Sequence, residues 1–160
     1  MTGAENAASV HATCVAFGER GVLLLGPPGA GKSDLALRLI DGGAVLVADD
    51  RVMLSRDGDA LLAAPPDALA GLLEIRGAGI ARLPHMAPVA VVLAADLAES
   101  GTLERLPREG RSEYLGVRIR SMPVAPFECS AVAKVRIAVY AAAGLPDPAT
   151  GARLLPDEEV

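Results

Sequence analysis

One short stretch has the residue types and spacing needed to hold a polyphosphate. It lies between an apolar run, 21–25, and an amphipathic segment, 34–40, and it consists of Gly26, Pro27, Pro28, Gly29, Ala30, Gly31, Lys32 and Ser33. Glycines allow a tight turn whose backbone N–H groups point inward, and the positive end of a following helix adds to that field. We therefore expect a P-loop, with Lys32 along the β- and γ-phosphates and the Ser33 hydroxyl on Mg²⁺.

The alternative to a P-loop is a glycine-rich turn between strand and helix that binds nothing. The lysine argues against it, because the chain has only two lysines, Lys32 and Lys134, and takes its other basic residues from arginine. A chance match would have placed an arginine at position 32. The signal is specific because a strand and a helix are also expected on either side.

Two adjacent carboxylates, Asp49 and Asp50, end a second apolar run, 44–48. An acidic residue at the end of a buried strand commonly holds the metal in P-loop proteins, and a second acid can accept the proton of an attacking hydroxyl. A solvated turn is the alternative, since Asp is common in turns. Asp96, after the apolar run 89–95, competes for the metal role.

Three further candidates carry weaker signals. His11 falls in a predicted strand, 10–17, where a hydrogen-bonded structural histidine is the commoner outcome. Glu74 and Arg76 lie two residues apart before a glycine turn, so Glu74 could reach the metal and Arg76 a phosphate, although a surface ion pair is the usual reading of such a pair. The stretch 103–120 is rich in arginine, and one or two of these residues could clamp phosphate.

Hydrophobic patterning predicts one α/β domain over residues 10–143, with flexible segments at 1–9 and 144–160. The helix of the P-loop is expected to end near Asp41, at a left-handed glycine in Gly42-Gly43. A hairpin is predicted over 52–63, with its turn at Asp57-Gly58. Further strands are predicted over 89–95, 117–124 and 132–140.

Composition excludes several classes of protein. The formal net charge of −5 argues against a general nucleic-acid or anionic-membrane surface. No apolar stretch is long enough to span a membrane, and no signal peptide is evident, so we expect a cytoplasmic protein. Cys14 and Cys129 lack a metal-binding spacing and are predicted to be buried, inert thiols.

These separated pieces together resemble the catalytic domain of the HPr kinase/phosphorylase family, whose members phosphorylate a serine of the phosphocarrier protein HPr. The resemblance covers about residues 9–142. It rests on the histidine at 11, the loop GPPGAGKS, the segment LVADDRV and the signature-like segment LEIRGAGI. It implies a P-loop domain of the phosphoenolpyruvate carboxykinase-like type with a mixed central sheet.

The resemblance also implies roles. Asp50 would be the base toward the HPr serine, with Asp49 beside it at the metal and Glu74 as a second metal-side ligand. His11, Arg76 and Arg105 would belong with Lys32 in the catalytic set, Arg105 through a looser copy of the family's Asp-Arg-Leu-Gly. ATP and Mg²⁺ are the implied cofactors, HPr the partner, and a homo-oligomer the expected assembly.

Two departures from the longer family members affect the functional prediction. Residues 1–9 leave no room for the extra N-terminal domain of those members, so we expect a short form of the family, with the catalytic domain only. The Pro-Gly-Arg-Asn segment of the long members, tied to dephosphorylation, is replaced by Pro126-Phe127-Glu128-Cys129. The glutamate reverses a charge at a phosphate-handling loop and puts phosphorolysis in question. Two alternatives therefore stay open: a small-molecule kinase, and a nucleotide-binding sensor with little turnover.

Overall fold

A computed structural model describes residues 6–156 of the 160-residue chain. These residues form eleven β-strands and two α-helices, with short 3-10 helices at Asp67–Leu69 and Ser100–Thr102. In chain order the elements are β1 (Ala7–Val10), β2 (Thr13–Phe17), β3 (Arg20–Leu25), α1 (Lys32–Asp41), β4 (Val45–Ala48), β5 (Val52–Asp57), β6 (Ala60–Ala64), β7 (Leu72–Ile75), β8 (Gly79–Arg82), β9 (Val89–Leu97), β10 (Gly110–Tyr114), β11 (Val117–Val124) and α2 (Ala131–Ala142). The mixed α/β class expected from the sequence is confirmed.

Nine strands form one mixed sheet in the order β1-β5-β6-β9-β3-β2-β4, with β11 beside β9 and β10 beside β11. Strands β3, β9 and β11 are parallel to one another. Strand β2 is antiparallel to both β3 and β4, so β4 runs in the same direction as β3. The C-terminal ends of β4, β3, β9 and β11 consequently meet at one edge of the sheet. The β7–β8 hairpin forms a separate two-stranded sheet.

The sheet has a buried aliphatic layer on each face because successive side chains along each strand point to opposite faces. Val15 and Phe17 of β2 pack with Leu35 and Leu39 of α1 and with α2, whereas Cys14 and Ala16 point to the opposite face. On that opposite face the sheet curls over itself, so that β5 and β6 pack against β2. Both helices therefore lie on one side of the sheet.

Several predicted elements match the structure. The hairpin turn at Asp57-Gly58 separates β5 from β6, and β11 spans the predicted 117–124. Helix α1 ends at Asp41, and Gly43 takes the left-handed conformation with φ 109°. Position 43 can adopt that φ without strain because glycine has no Cβ.

The prediction of a final strand over 132–140 is wrong, because this segment lies within α2. Its alternating Val and Ile suggested period 2, but the buried residues that follow Ala131 come four, seven and eight positions after it: Val135, Ala138 and Val139. That spacing places them on one helical face, and the many alanines favour a helix.

The predicted first strand, 10–17, is divided into two. Strand β1 pairs with β5, whereas β2 pairs with β3 and β4, and the chain bends at His11 and Ala12 between them. His11 thus lies between strands and not on one. The prediction that both cysteines are buried is half wrong: Cys14 is buried, and burial raises its thiol pKa to about 12, but Cys129 is exposed.

Part of the segment after α2 packs against that helix. The buried carboxylate of Asp147 accepts a hydrogen bond of 2.7 Å from Arg136 Nε, and it also accepts bonds from the Thr150 N–H and hydroxyl. The Arg136 bond is the main reason that the pKa of Asp147 falls to about 2, while burial acts in the opposite direction. The domain limits and the mobility of 144–160 stay predictions.

We expect Asp147→Asn to lower the free energy of unfolding by about 1–2 kcal/mol at neutral pH, after allowance for solvent screening. Because the folded-state pKa is depressed from 3.8, this contribution is complete above pH 3.8 and is lost as the pH falls toward 2. Urea titrations of wild type and variant at neutral pH and at about pH 3 measure the difference, which should shrink at the lower pH. Asp59→Asn, in the exposed β5–β6 turn, is the matched control. A difference that is constant with pH would contradict this account.

Candidate functional site

The P-loop forms as the sequence predicts, between the end of β3 and the start of α1. Its glycines at 26, 29 and 31 all have positive φ. Lys32 is nearly buried, and its Nζ donates to the carbonyl oxygens of Gly26, at 2.6 Å, and Pro27, at 3.1 Å. The loop therefore curls around its own lysine, with the N-terminus of α1 facing the same space. This arrangement is suited to a bound polyphosphate.

Asp49 joins the P-loop to the neighbouring strands. Its Oδ1 accepts hydrogen bonds from Ser33 Oγ at 2.8 Å and from Thr13 Oγ1 at 2.9 Å, and its Oδ2 lies 3.4 Å from the backbone nitrogen of Glu74. Only 8% of Asp49 is exposed. The carboxylate thus lies beside the hydroxyl predicted to bind Mg²⁺, which is where a P-loop protein needs an acid.

Asp50 points the other way. Its backbone is left-handed, with φ 68°, a conformation that Asp adopts more readily than most residues. The turn separates the two carboxylates: Asp49 faces the loop, while Asp50 is 72% exposed and its Oδ1 lies 3.0 Å from His11 Nε2. The bend at His11 between β1 and β2 brings the imidazole to this position. The two acids are therefore placed for different tasks.

A cleft of about 500 Å³ opens over the P-loop. Its walls include most of the predicted site residues: His11, Pro28, Gly29, Gly31, Lys32, Ser33, Asp50, Glu74 and Arg76. Glu74 comes from β7, whereas Arg76 lies in the turn that follows, because β7 ends at Ile75. The β7–β8 hairpin thus carries both residues over the N-terminus of α1.

Arg105 and Asp96 lie outside this cleft. Arg105 is exposed in the loop before β10, and it is not one of the described residues that line the cleft. Asp96 lies within β9, in register with Leu25 and Pro123, one residue before the strand ends. Burial raises the pKa of Asp96. The geometry favours Asp49 over Asp96 beside the P-loop serine.

Two residues of the site were not predicted from the sequence. Thr13 supplies the second hydroxyl to Asp49 from the start of β2, at the edge where β3 ends, whereas the predicted strand 10–17 places it in mid-strand. Phe127 carries no signal of its own in the sequence, yet it lines the cleft beside Gly31. Its contact with the loop depends on the order of strands, which no local pattern reveals.

The donor set fits a magnesium ion. Within the described part of the chain, no three His, Cys, Asp or Glu side chains form a ready-made metal cluster. Mg²⁺ in phosphate-binding sites usually takes one or two protein oxygens and completes its shell with phosphate and water. The Ser33 hydroxyl and the Asp49 carboxylate provide such oxygens next to the phosphate loop.

Across residues 6–156, neither helix has the length and apolar character needed to cross a bilayer.

Comparison with known proteins gives one consistent result. A sequence model described as the HPr serine kinase C-terminal domain matches residues 4–142. The HPr kinase/phosphorylase of Peptoclostridium acidaminophilum is 42% identical over 85 residues, which are 52% of this chain and 28% of that protein. The HPr kinase/phosphorylase of Bacillus cytotoxicus is 47% identical over 73 residues, 45% of this chain and 24% of that protein. The matches thus span about a quarter of the length of these curated relatives.

A solved structure shares the fold. The HPr(Ser) kinase/phosphatase from Coxiella burnetii superposes with a TM-score of 0.70 at 26% identity, covering 79% of this chain and 86% of that one.

We expect Thr13→Val to lower the free energy of unfolding by about 1–3 kcal/mol, because it removes one of two hydroxyl donors to a buried carboxylate. Thr102→Val is the matched control, since its hydroxyl donates to the Glu99 carbonyl at an exposed site, and it should cost less than about 0.5 kcal/mol. Denaturant titration of both variants makes the comparison.

A double-mutant cycle with Asp49→Asn then tests whether the hydroxyl acts through Asp49. The stability losses of Thr13→Val and Asp49→Asn should differ from additivity by more than about 0.5 kcal/mol. Additive losses would show that Thr13 stabilises the fold independently of Asp49.

Proposed function

The chain belongs to the HPr serine kinase C-terminal domain family, and we propose that it is an ATP- and Mg²⁺-dependent kinase that phosphorylates a serine of an HPr-type phosphocarrier protein. The single observation that carries this proposal is the opposed pair of carboxylates at the P-loop. Asp49 faces the serine of the loop, and Asp50 faces outward beside His11. A metal-side acid and an acceptor-side base are what phosphoryl transfer to an alcohol requires.

The P-loop is assigned the triphosphate. Backbone N–H groups of residues 26–33 and the N-terminus of α1 would surround the phosphates, and Lys32 would exchange its bonds to Gly26 and Pro27 for phosphate oxygens. Ser33 and Asp49 would hold Mg²⁺, with Glu74 next to them. When bound, the ion neutralises charge on the phosphate oxygens. Arg76 is assigned to the phosphates from the β7–β8 side.

Asp50 is assigned the proton of the acceptor. Its carboxylate is exposed, so an incoming serine hydroxyl can reach it, and it takes up the hydroxyl proton as the oxygen bonds to the γ-phosphorus. The bond from that phosphorus to the bridging oxygen breaks, and ADP leaves. His11 orients Asp50 through the contact of 3.0 Å. A base of this kind contributes about 10²–10⁴-fold to the rate. Arg105 can join this set only if the loop that carries it moves toward the cleft.

Glu128 does not bring its negative charge to the phosphates. Its carboxylate accepts hydrogen bonds from Lys134 Nζ at 3.0 Å and from Ser100 Oγ at 3.1 Å. Both bonds lower the pKa of Glu128, and the bond from Lys134 has the larger effect. The side chain is not part of the cleft wall among the described residues. This geometry supports the kinase over a sensor with little turnover.

The remaining expectations belong to the same proposal. We propose that the domain is of the phosphoenolpyruvate carboxykinase-like P-loop type, supported by its mixed sheet and by the position of the loop after β3. It would act as one kinase domain over 10–143, in the cytoplasm, as a homo-oligomer.

The direct test is incubation of the purified protein with HPr, ATP and Mg²⁺. We expect phosphoserine on HPr, and Asp50→Asn should lower its rate of formation by at least about 100-fold while ATP affinity is kept. Asp41→Asn, at the far end of α1, is the control and should leave the rate unchanged. Tight ATP binding without phosphoserine would favour the sensor, and phosphorylation of a metabolite in a panel would favour the small-molecule kinase.

The reverse direction has its own assay. Because a forward base acts as the acid in the reverse reaction, Asp50 should return a proton to the serine oxygen as inorganic phosphate attacks phospho-HPr. We expect incubation of phospho-HPr with phosphate to release pyrophosphate, and Asp50→Asn to abolish the release. If the wild type makes phosphoserine but no pyrophosphate, the enzyme is a kinase alone.

A further inference from the structure

Phe127 is a large aromatic side chain that is 72% exposed at the wall of the cleft. A single exposed apolar residue is normally unremarkable, but this one touches the P-loop. A Cβ built on Gly31 would lie 2.8 Å from Phe127 Cζ, with both Cε atoms within 3.5 Å. The tip of the ring therefore rests on the glycine before Lys32, and most of the side chain is left to solvent.

The segment that carries Phe127 is fixed on both sides. Arg38 of α1 donates to the carbonyl oxygen of Pro126. The side chain of Glu128 is held by Lys134 and Ser100, and its backbone N–H donates to the Ala125 carbonyl. The ring is thus positioned by bonds at 126 and 128, and not by burial of its own surface. An exposed aromatic side chain on a segment held from both sides is suited to stacking.

The order of strands leaves one side of the P-loop for the nucleoside. The side toward β2 and β4 carries His11, Asp49 and Asp50, the residues assigned to metal and acceptor. The opposite side, toward β9 and β11, ends in the segment with Phe127. In open α/β sheets, ligands lie across the carboxyl ends of the strands. A nucleotide with its terminal phosphate near Asp50 must place its base toward β11.

We propose that Phe127 stacks on the nucleobase and makes the site prefer a nucleoside triphosphate to an inorganic polyphosphate. The inference rests on the proposed function, because it takes the P-loop as the phosphate site. Lys32 and the backbone amides of the loop bind the phosphates of a nucleoside triphosphate and of an inorganic polyphosphate in the same way. Phe127 adds a contact that only a ligand with a base can use.

The test compares Mg²⁺-ATP with Mg²⁺-tripolyphosphate by calorimetry. Phe127→Ala should raise the Kd for ATP by about 5- to 100-fold, the range of aromatic stacking on a base, and should leave the Kd for tripolyphosphate within about two-fold. Phe127→Tyr should retain ATP affinity. Leu145→Ala, another exposed apolar side chain, is the control. Lys32→Met should weaken both ligands.

A spectroscopic readout is available because the chain contains no tryptophan. Phe127→Trp places a single indole on the P-loop, and its fluorescence should be quenched by ATP and unaffected by tripolyphosphate. Equal loss of both ligands in Phe127→Ala would show that the ring acts through the shape of the loop, and no loss of either would show that the base lies elsewhere. Each result overturns the inference and leaves the kinase proposal standing. Failure of the wild type to bind either ligand would instead overturn the kinase proposal, and the inference with it.

Discussion

The structure of the site depends on one buried carboxylate, that of Asp49. Its Oδ1 accepts hydrogen bonds from Ser33 at the start of α1 and from Thr13 at the start of β2, so one oxygen joins three elements of the fold. A buried charge is costly unless it is hydrogen-bonded, and this requirement fixes the P-loop helix against the sheet. At the next residue, Asp50, the backbone takes a left-handed turn, and the second carboxylate points away from the first. Two adjacent residues in the sequence thereby face different ways, Asp49 toward the P-loop serine and Asp50 into the cleft.

The mixed sheet distributes the chemistry across that cleft. Strand β2 begins at the edge where β3 and β4 end, so His11 and Thr13 enter the site from a strand start. An all-parallel sheet would bring strand ends alone to this edge. The parallel neighbours β9 and β11 extend the edge in the other direction, to the segment with Phe127. The residues beside β2 and β4 and those after β11 consequently lie on opposite sides of β3 and the P-loop.

Features that depend on local sequence, such as turns and helix ends, were predicted correctly. Features that depend on contacts between distant residues were not. The P-loop, the helix to Asp41 and the Asp57-Gly58 turn follow from glycine positions and apolar periodicity, and all three are in the structure. The helix Ala131–Ala142 was predicted as a strand because Val and Ile alternate there, and only its packing against β9 and β3 selects the helical face. Thr13 and Phe127 could not be assigned, since their partners lie 36 and 96 residues away in the chain, at Asp49 and Gly31. His11 was found through family resemblance, but its place at a bend between two strands was not.

Glu128 shows how a carboxylate next to the cleft can be compensated locally. From the sequence alone, Glu128 is expected to repel phosphate. In the structure its carboxylate accepts bonds from Lys134 and Ser100, so its charge is compensated within its own segment. Lys134 is one of only two lysines, and the other is the P-loop lysine. An ion pair at this exposed position adds little stability, but it fixes the direction of the side chain. The segment can therefore present Phe127 to the cleft while Glu128 stays turned toward α2.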